Sequence, residues 1–262
     1  MVFRIWLACC LAAYVSALPD EISNVRELYP IPDYTVRCNS TKGFFSVNVV
    51  EKWSPLGASR FKELVESGFY DDGVAFIRVV ENFLVQFGIS NNVEKTKKWN
   101  SVPAIKDDPL LGRPFLKGYM SFAGGGPNTR TTQTFISYSK STHLGQAPWE
   151  TPFGYISLLD MKNVIDKLFS GYGDMEAFGG NAPDQGTLQR RGKEYLTKDF
   201  PEIDYITSCT MSRSFRAKEV IAAAEAKLGR FYSVLIVLAL SIAILAVLAV
   251  FARLLKLSPK DD

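Results

Sequence analysis

Arg78 is the residue hardest to explain as packing. It stands inside Phe76-Ile77-Arg78-Val79-Val80, an apolar run in which a permanently charged guanidinium is out of place. Gln86 breaks the run Phe83-Leu84-Val85 in the same way, and Gln133 comes just before Thr134-Phe135-Ile136. Hydrogen-bonding groups set among apolar walls are what a small ligand pocket needs. Taken alone, Arg78 also fits an edge strand that turns the charge to solvent.

The remaining residue types exclude much other chemistry. His143 is the only histidine and no cysteine sits in an activating context, so a Ser-His or Cys-His nucleophile is hard to assemble. The same shortage removes common nitrogen and sulfur metal sites, and neither a metal nor a cofactor is expected. Gly124-Gly125-Gly126 is followed by Pro127 and no helical pattern, which argues against a phosphate loop. With a formal net charge of +3 and scattered Lys and Arg, the chain carries no nucleic-acid footprint.

The elements that must position these residues are short strands. Gly43 opens the strand pattern Phe44-Phe45-Ser46-Val47-Asn48-Val49-Val50. Ser54 as cap, Pro55 in the first turn, apolar Leu56, Phe61, Leu64 and Val65, and Gly68 as a stop predict a helix. Apolar runs over residues 74–80, 83–89, 119–123, 134–138 and 152–158, parted by Gly, Pro and Asn, predict strands of an all-β barrel or sandwich. A second helix is expected over residues 161–169 with Asp160 as its cap. Residues 172–199 read as a long surface loop, and 204–210 as the last strand.

Both ends have a different character. Arg4, the apolar run from Ile5 to Val15 and the small residues Val15-Ser16-Ala17 predict a cleaved signal peptide over 1–17, against the alternative of a buried N-terminal strand or helix. Residues 18–42 read as a lead segment, 43–212 as one folded domain and 213–230 as an Ala-rich helical stalk. Residues 231–251 carry no charge, long enough for a transmembrane helix, and Arg253 and Lys256 stand in the tail, 252–262. A signal followed by a stop-transfer helix gives a type I membrane protein of the secretory pathway, in the endoplasmic reticulum or beyond, with the domain lumenal or extracellular. The balance of Lys and Arg across the helix dissents; without the signal the chain is a tail-anchored cytosolic protein. Ala239 and Ala243 allow a weak homodimer through the helix.

Cysteine usage agrees with export. Cys9 and Cys10 leave with the signal, so Cys38 and Cys209 form a candidate disulfide, the alternative being two buried free thiols. Asn39-Ser40-Thr41 is a glycosylation sequon, meaningful only in a lumenal segment.

Residues 54–61 (Ser54-Pro55-Leu56-Gly57-Ala58-Ser59-Arg60-Phe61), then Gly68-Phe69-Tyr70-Asp71 and the run from Phe76 to Gln86, resemble the cyclophilin helix and its catalytic strand pair. Ser121-Phe122-Ala123, Gly126-Pro127-Asn128-Thr129 and Gln133-Thr134-Phe135-Ile136 resemble the second signature of that family, and Pro152-Phe153-Gly154 its later strand. The resemblance covers residues 43–210. It implies a mainly β fold, a closed eight-stranded antiparallel barrel capped by two α-helices, and peptidyl-prolyl cis-trans isomerase activity on proline-containing polypeptides. Arg78 would be the catalytic arginine, and Phe83, Leu84, Phe135 and Leu144 would wall the proline pocket. Gln86 would hold the peptide backbone, while Ala123, Gln133 and His143 would line the neighbouring groove. His143 replaces a common tryptophan, Glu150 falls near a common histidine, Gly124 replaces an asparagine, and Glu81-Asn82 replaces a Pro-Gly turn. The competing reading is a catalytically weak proline-peptide binding module or a membrane-tethered scaffold.

Overall fold

The alternation of Tyr34, Val36 and Cys38 makes a strand where a lead segment was expected. In the computed structural model, which describes residues 27–112 and 114–212, β1 (Tyr34–Ser40) turns those three side chains inward and pairs with β2 (Gly43–Val49). The folded domain thus takes in part of the segment 18–42. The expected signal peptide 1–17, stalk 213–230, transmembrane helix 231–251 and tail 252–262 lie outside the described residues.

Seven further strands follow: β3 (Val74–Ala75), β4 (Arg78–Val80), β5 (Leu84–Phe87), β6 (Tyr119–Phe122), β7 (Thr134–Ser137), β8 (Gly154–Ile156) and β9 (Tyr205–Ser212). All pair antiparallel in the order β3-β9-β1-β2-β8-β6-β7-β5-β4. The two ends of this sheet, β3 and β4, are separated in the chain only by Phe76 and Ile77, so the sheet must curl round on itself. Nine strands replace the expected eight because the run 74–80 divides: its first half pairs with β9 and its second with β5.

The helices depart further from expectation. α1 (Pro55–Glu66) lies where the sequence places it, but Ser54 makes no side-chain cap bond. Asp108, distant in sequence, accepts from the amides of Leu56 and Gly57 at 3.0 Å each and from the Ser54 hydroxyl. A carboxylate at a helix N-terminus meets both orphan N–H groups and the positive end of the helix dipole. α2 (Val93–Asn100), capped by Asn92, was not anticipated. The helix expected over 161–169 is instead α3 (Leu158–Asn163), capped by Ser157 and not Asp160, and it gives way at Val164 to a 3-10 turn, Ile165–Lys167. The stretch 172–199 is no plain loop. It holds α4 (Gln185–Arg191) and α5 (Lys193–Asp199), whose Leu188 and Leu196 pack with Ala75, Ile77, Ile89 and Ile203.

Strand alternation decides which face is the core. Val79, Val85, Phe87, Met120, Phe122 and Ile136 point into the barrel interior with Val36, Phe45 and Val47. Residues one step away, among them Leu84, Tyr119 and Phe135, pack in a separate cluster on the outer face.

Cys38 and Cys209 face each other across the β1–β9 ladder and are bonded, which excludes the free-thiol alternative. The bond closes a loop spanning a sequence separation of 171 residues. A crosslink of that reach stabilises by about 4 to 5 kcal/mol in the chain-entropy account. The double variant Cys38→Ser/Cys209→Ser is therefore expected to unfold at a markedly lower temperature, and thermal denaturation followed by circular dichroism checks it.

Candidate active site

The β4–β5 hairpin brings the first two polar residues together. Its register sets Arg78 directly opposite Gln86, so both project from the same face. The turn between them closes with the Phe83 amide donating to the Val80 carbonyl at 3.0 Å, and Asn82 takes a left-handed φ of 61°. Asparagine tolerates that conformation, which explains how Glu81-Asn82 can stand where a glycine turn would. On the other side of β5, Gln86 lies opposite Phe135 of β7. The polar pair and the aromatic wall thus belong to one row of the outer sheet face.

Four side chains connect in a line. Arg78 Nη1 donates to Gln86 Oε1 at 3.3 Å, Gln86 Nε2 to Gln133 Oε1 at 2.9 Å, and Gln133 Nε2 to Gln185 Oε1 at 2.9 Å. The other edge of the guanidinium is held by Asp174, with Nε at 2.6 Å from Oδ1 and Nη2 at 3.2 Å from Oδ2. Partial burial pushes the Asp174 carboxyl up, but hydrogen bonds from Arg78 and the Met175 amide, together with the Arg78 charge, outweigh it and hold the group below the usual carboxylate range. The Arg78 carbon Cζ lies 5.5 Å from the Phe83 ring centroid and 5.7 Å from that of Phe178, both within cation–π reach.

Beside this polar row lies an apolar wall. Leu84, Phe135 and Leu144 are 4%, 3% and 6% exposed and share one cluster, against which Phe83 and Ala123 pack from its rim. Phe115 stacks on Phe135, with ring centroids 5.4 Å apart. The Ala123 amide donates to the Gln133 carbonyl at 2.9 Å, fixing β6 against the start of β7. His143 precedes Leu144 of that wall in the chain. It is exposed, and its backbone amide donates to the Ser141 hydroxyl.

A family profile described as cyclophilin type peptidyl-prolyl cis-trans isomerase/CLD matches residues 34–185. The chain belongs to this family. Among its relatives, peptidyl-prolyl cis-trans isomerase CYP18-1 of Arabidopsis thaliana is 33% identical over 127 residues, which is 46% of this chain and 74% of that protein. The isomerase CYP65 of the same plant is 31% identical over 137 residues, 49% of this chain and only 22% of that protein. A peptidyl-prolyl cis-trans isomerase of Synechococcus elongatus is 28% identical over 130 residues, covering 50% of this chain and 85% of that one. Among solved structures, a cyclophilin type isomerase of Cryptosporidium parvum aligns with a TM-score of 0.47 at 18% identity, covering 68% of this chain and 97% of that one.

Two departures from the cyclophilin pattern have a structural reason. A side chain at Gly124 would begin 3.1 Å from two atoms of Trp149, which the long loop before β8 lays against that glycine, so an asparagine there would need Trp149 to give by a few tenths of an ångström. Glu150, near the position of a common histidine, is engaged within its own loop, where its Oε2 accepts from the Gly145 amide at 2.9 Å. Burial raises its carboxyl, with the amides of Gly145 and Gln146 opposing.

Sequence reasoning missed Asp174, Phe178 and Gln185, which lie inside the stretch read as a loop, and Phe115. The one available signal was the buried-strand arginine itself, since a charge among apolar residues demands a partner.

Proposed function

We propose that this domain is a peptidyl-prolyl cis-trans isomerase acting on secretory or membrane proteins, with Arg78 as the group that lowers the barrier. The observation that carries the reading is the placement of Arg78 and Gln86 on one row with Phe135, beside the Phe83, Leu84 and Leu144 wall. Rotation about a peptide bond costs about 18 to 20 kcal/mol because nitrogen shares its lone pair with the carbonyl. When the bond twists, that lone pair becomes a hydrogen-bond acceptor. Arg78 can donate to it only then, which is selective binding of the transition state. The apolar wall takes the proline ring, Gln86 holds the backbone of the bound peptide, and Ala123, Gln133 and His143 line the groove for neighbouring residues. No proton transfer and no covalent intermediate are needed.

The test is isomerisation of a short Xaa-Pro peptide by the full-length chain in detergent or bilayers. Acceleration is expected; peptide binding without acceleration would favour the binding-module reading. Arginine keeps its proton, glutamine has none to lose, and Asp174 is held below the usual carboxylate range, so this network does not titrate near neutrality. The rate constant is accordingly expected to stay flat between about pH 6 and 9, as a pH series on one peptide would record.

The placement in the cell belongs to the same proposal: a type I protein of the secretory pathway, anchored through residues 231–251. It is supported by the Cys38–Cys209 bond, which suits an oxidising compartment, and by the exposure of Asn39 in its sequon. In sealed microsomes the domain is expected to resist added protease and to lose mass on deglycosylation. Digestion from the cytosolic side would sink this topology.

A further inference from the structure

The segment between the 3-10 turn Ile165–Lys167 and β9 does more than lie on the surface. Its helices pack Leu188 and Leu196 beneath Ala75 and Ile77, directly adjoining Arg78 in the chain. An aromatic series, Phe169 to Tyr172 to Phe200 to Tyr195, with ring centroids 5.0 to 5.3 Å apart, fixes its base. Backbone bonds then close the segment on itself. The Ala182 amide donates to the Asp174 carbonyl at 3.0 Å and the Asn181 amide to the Tyr172 carbonyl at 2.9 Å. Asp184 caps α4 by accepting from the Thr187 amide at 2.7 Å.

On this support the side chains form a ring. Arg78 binds Gln86, Gln86 binds Gln133, and Gln133 binds Gln185. The Gln185 amide nitrogen lies 3.7 Å from Met175 Sδ, the Met175 amide donates to Asp174 Oδ1 at 2.6 Å, and Asp174 returns to Arg78. An unpaired arginine on four rotatable bonds would sample many orientations. Here three of its five N–H groups have fixed partners, Nε and one on Nη2 with Asp174 and one on Nη1 with Gln86, leaving two for a ligand.

We propose that Asp174 is the positioning residue for Arg78, presenting its two remaining N–H groups to the twisted prolyl nitrogen from a segment outside the groove itself. The inference rests on Arg78 acting as the transition-state donor. A group already held in place spends no reorganisation at the moment of reaction, and a displacement of about 1 Å can cost as much as 10²-fold.

The test uses the full-length chain with Asp174→Ala and Asp174→Asn, reading isomerisation, peptide affinity and the NMR signal of Arg78 Nε–H. Asp174→Ala is expected to lower kcat about tenfold, with peptide Kd unchanged, and Asp174→Asn to fall between it and the parent because its amide oxygen can still accept one bond. The Nε–H signal is expected to exchange slowly in the parent and to broaden in both variants. Equal or higher kcat in the variants would overturn the inference, the latter showing that the carboxylate holds Arg78 back. A loss of affinity equal to the loss of rate would also overturn it, since that reports a wall and not a positioning group. If the parent fails to isomerise, the functional reading falls, while an Arg78 signal indifferent to Asp174→Asn separately removes the positioning role.

Discussion

Arg78→Ala is expected to cost roughly 10²- to 10³-fold in the catalysed rate while leaving the fold intact, the range typical of losing one preorganised transition-state donor. At about 1.36 kcal/mol per decade this is about 3 to 4 kcal/mol of transition-state binding. The side chain sits on the outer sheet face, away from the barrel interior, so its removal opens no core cavity. It does free Asp174, which is close enough to the surface to take up water, and the side-chain oxygen of the buried Gln86. Arg78→Lys is expected to recover little, because an ammonium cannot meet both oxygens of Asp174 and Gln86 with fixed geometry. Isomerisation kinetics with peptide titration separate the outcomes: a lost rate with retained binding fits a transition-state donor, and an unchanged rate excludes Arg78 from catalysis.

A stability effect as large as that of the disulfide is expected at Arg130, whose side chain is fully buried. Nη1 donates to Asp108 at 3.0 Å and to Ser54 at 3.2 Å, and Nη2 donates to the Lys106 carbonyl. Asp108 is itself buried and receives the first amides of α1. Arg130→Met removes the countercharge and leaves that buried carboxylate only the Ser54 hydroxyl and the amides of Leu56 and Gly57, and breaking a buried pair costs about 3 to 5 kcal/mol. Burial pushes the Asp108 carboxyl up, yet bonds from Ser54, Leu56, Gly57 and Arg130 together hold it below its ordinary value. A carboxyl lowered in the folded state adds stability above its unfolded value and loses it as pH falls through the folded one. The parent is therefore expected to lose this contribution as the solution turns acid, and Arg130→Met, with less of it to lose, to melt far lower at neutral pH with a gap that narrows in acid. Thermal melts across a pH series check both. A variant with unchanged melting temperature would mean that water or rearrangement compensates Asp108.

Local pattern made much of the barrel legible. A partly alternating run placed β2, and short apolar runs bounded by turn residues placed β5, β6, β7 and β8, whose residues are buried on both faces. The members of the site's first row were readable as polar breaks in apolar runs, while the β4–β5 register is what sets Arg78 opposite Gln86. Reading was less secure where two partners divide a run, as between β3 and β4, and where helices are short. α4 and α5 have seven residues each, too few for a periodic signal, and their apolar contacts reach β3 and the residues before Arg78.

By itself, then, the sequence determined a β-rich domain of cyclophilin character, Arg78 and Gln86 as polar residues out of place in apolar runs, and the Cys38–Cys209 candidate. Only the tertiary structure decided that Asp174 holds Arg78, that Asp108 and not Ser54 serves the amides of α1, and that Trp149 packs closely on Gly124. The physical reason is common to all three. Strand alternation and turns are set by neighbours in the chain, whereas charge pairing and close packing depend on groups that meet only after the sheet has curled round, and a countercharge distant in sequence leaves no trace in the residues around its partner.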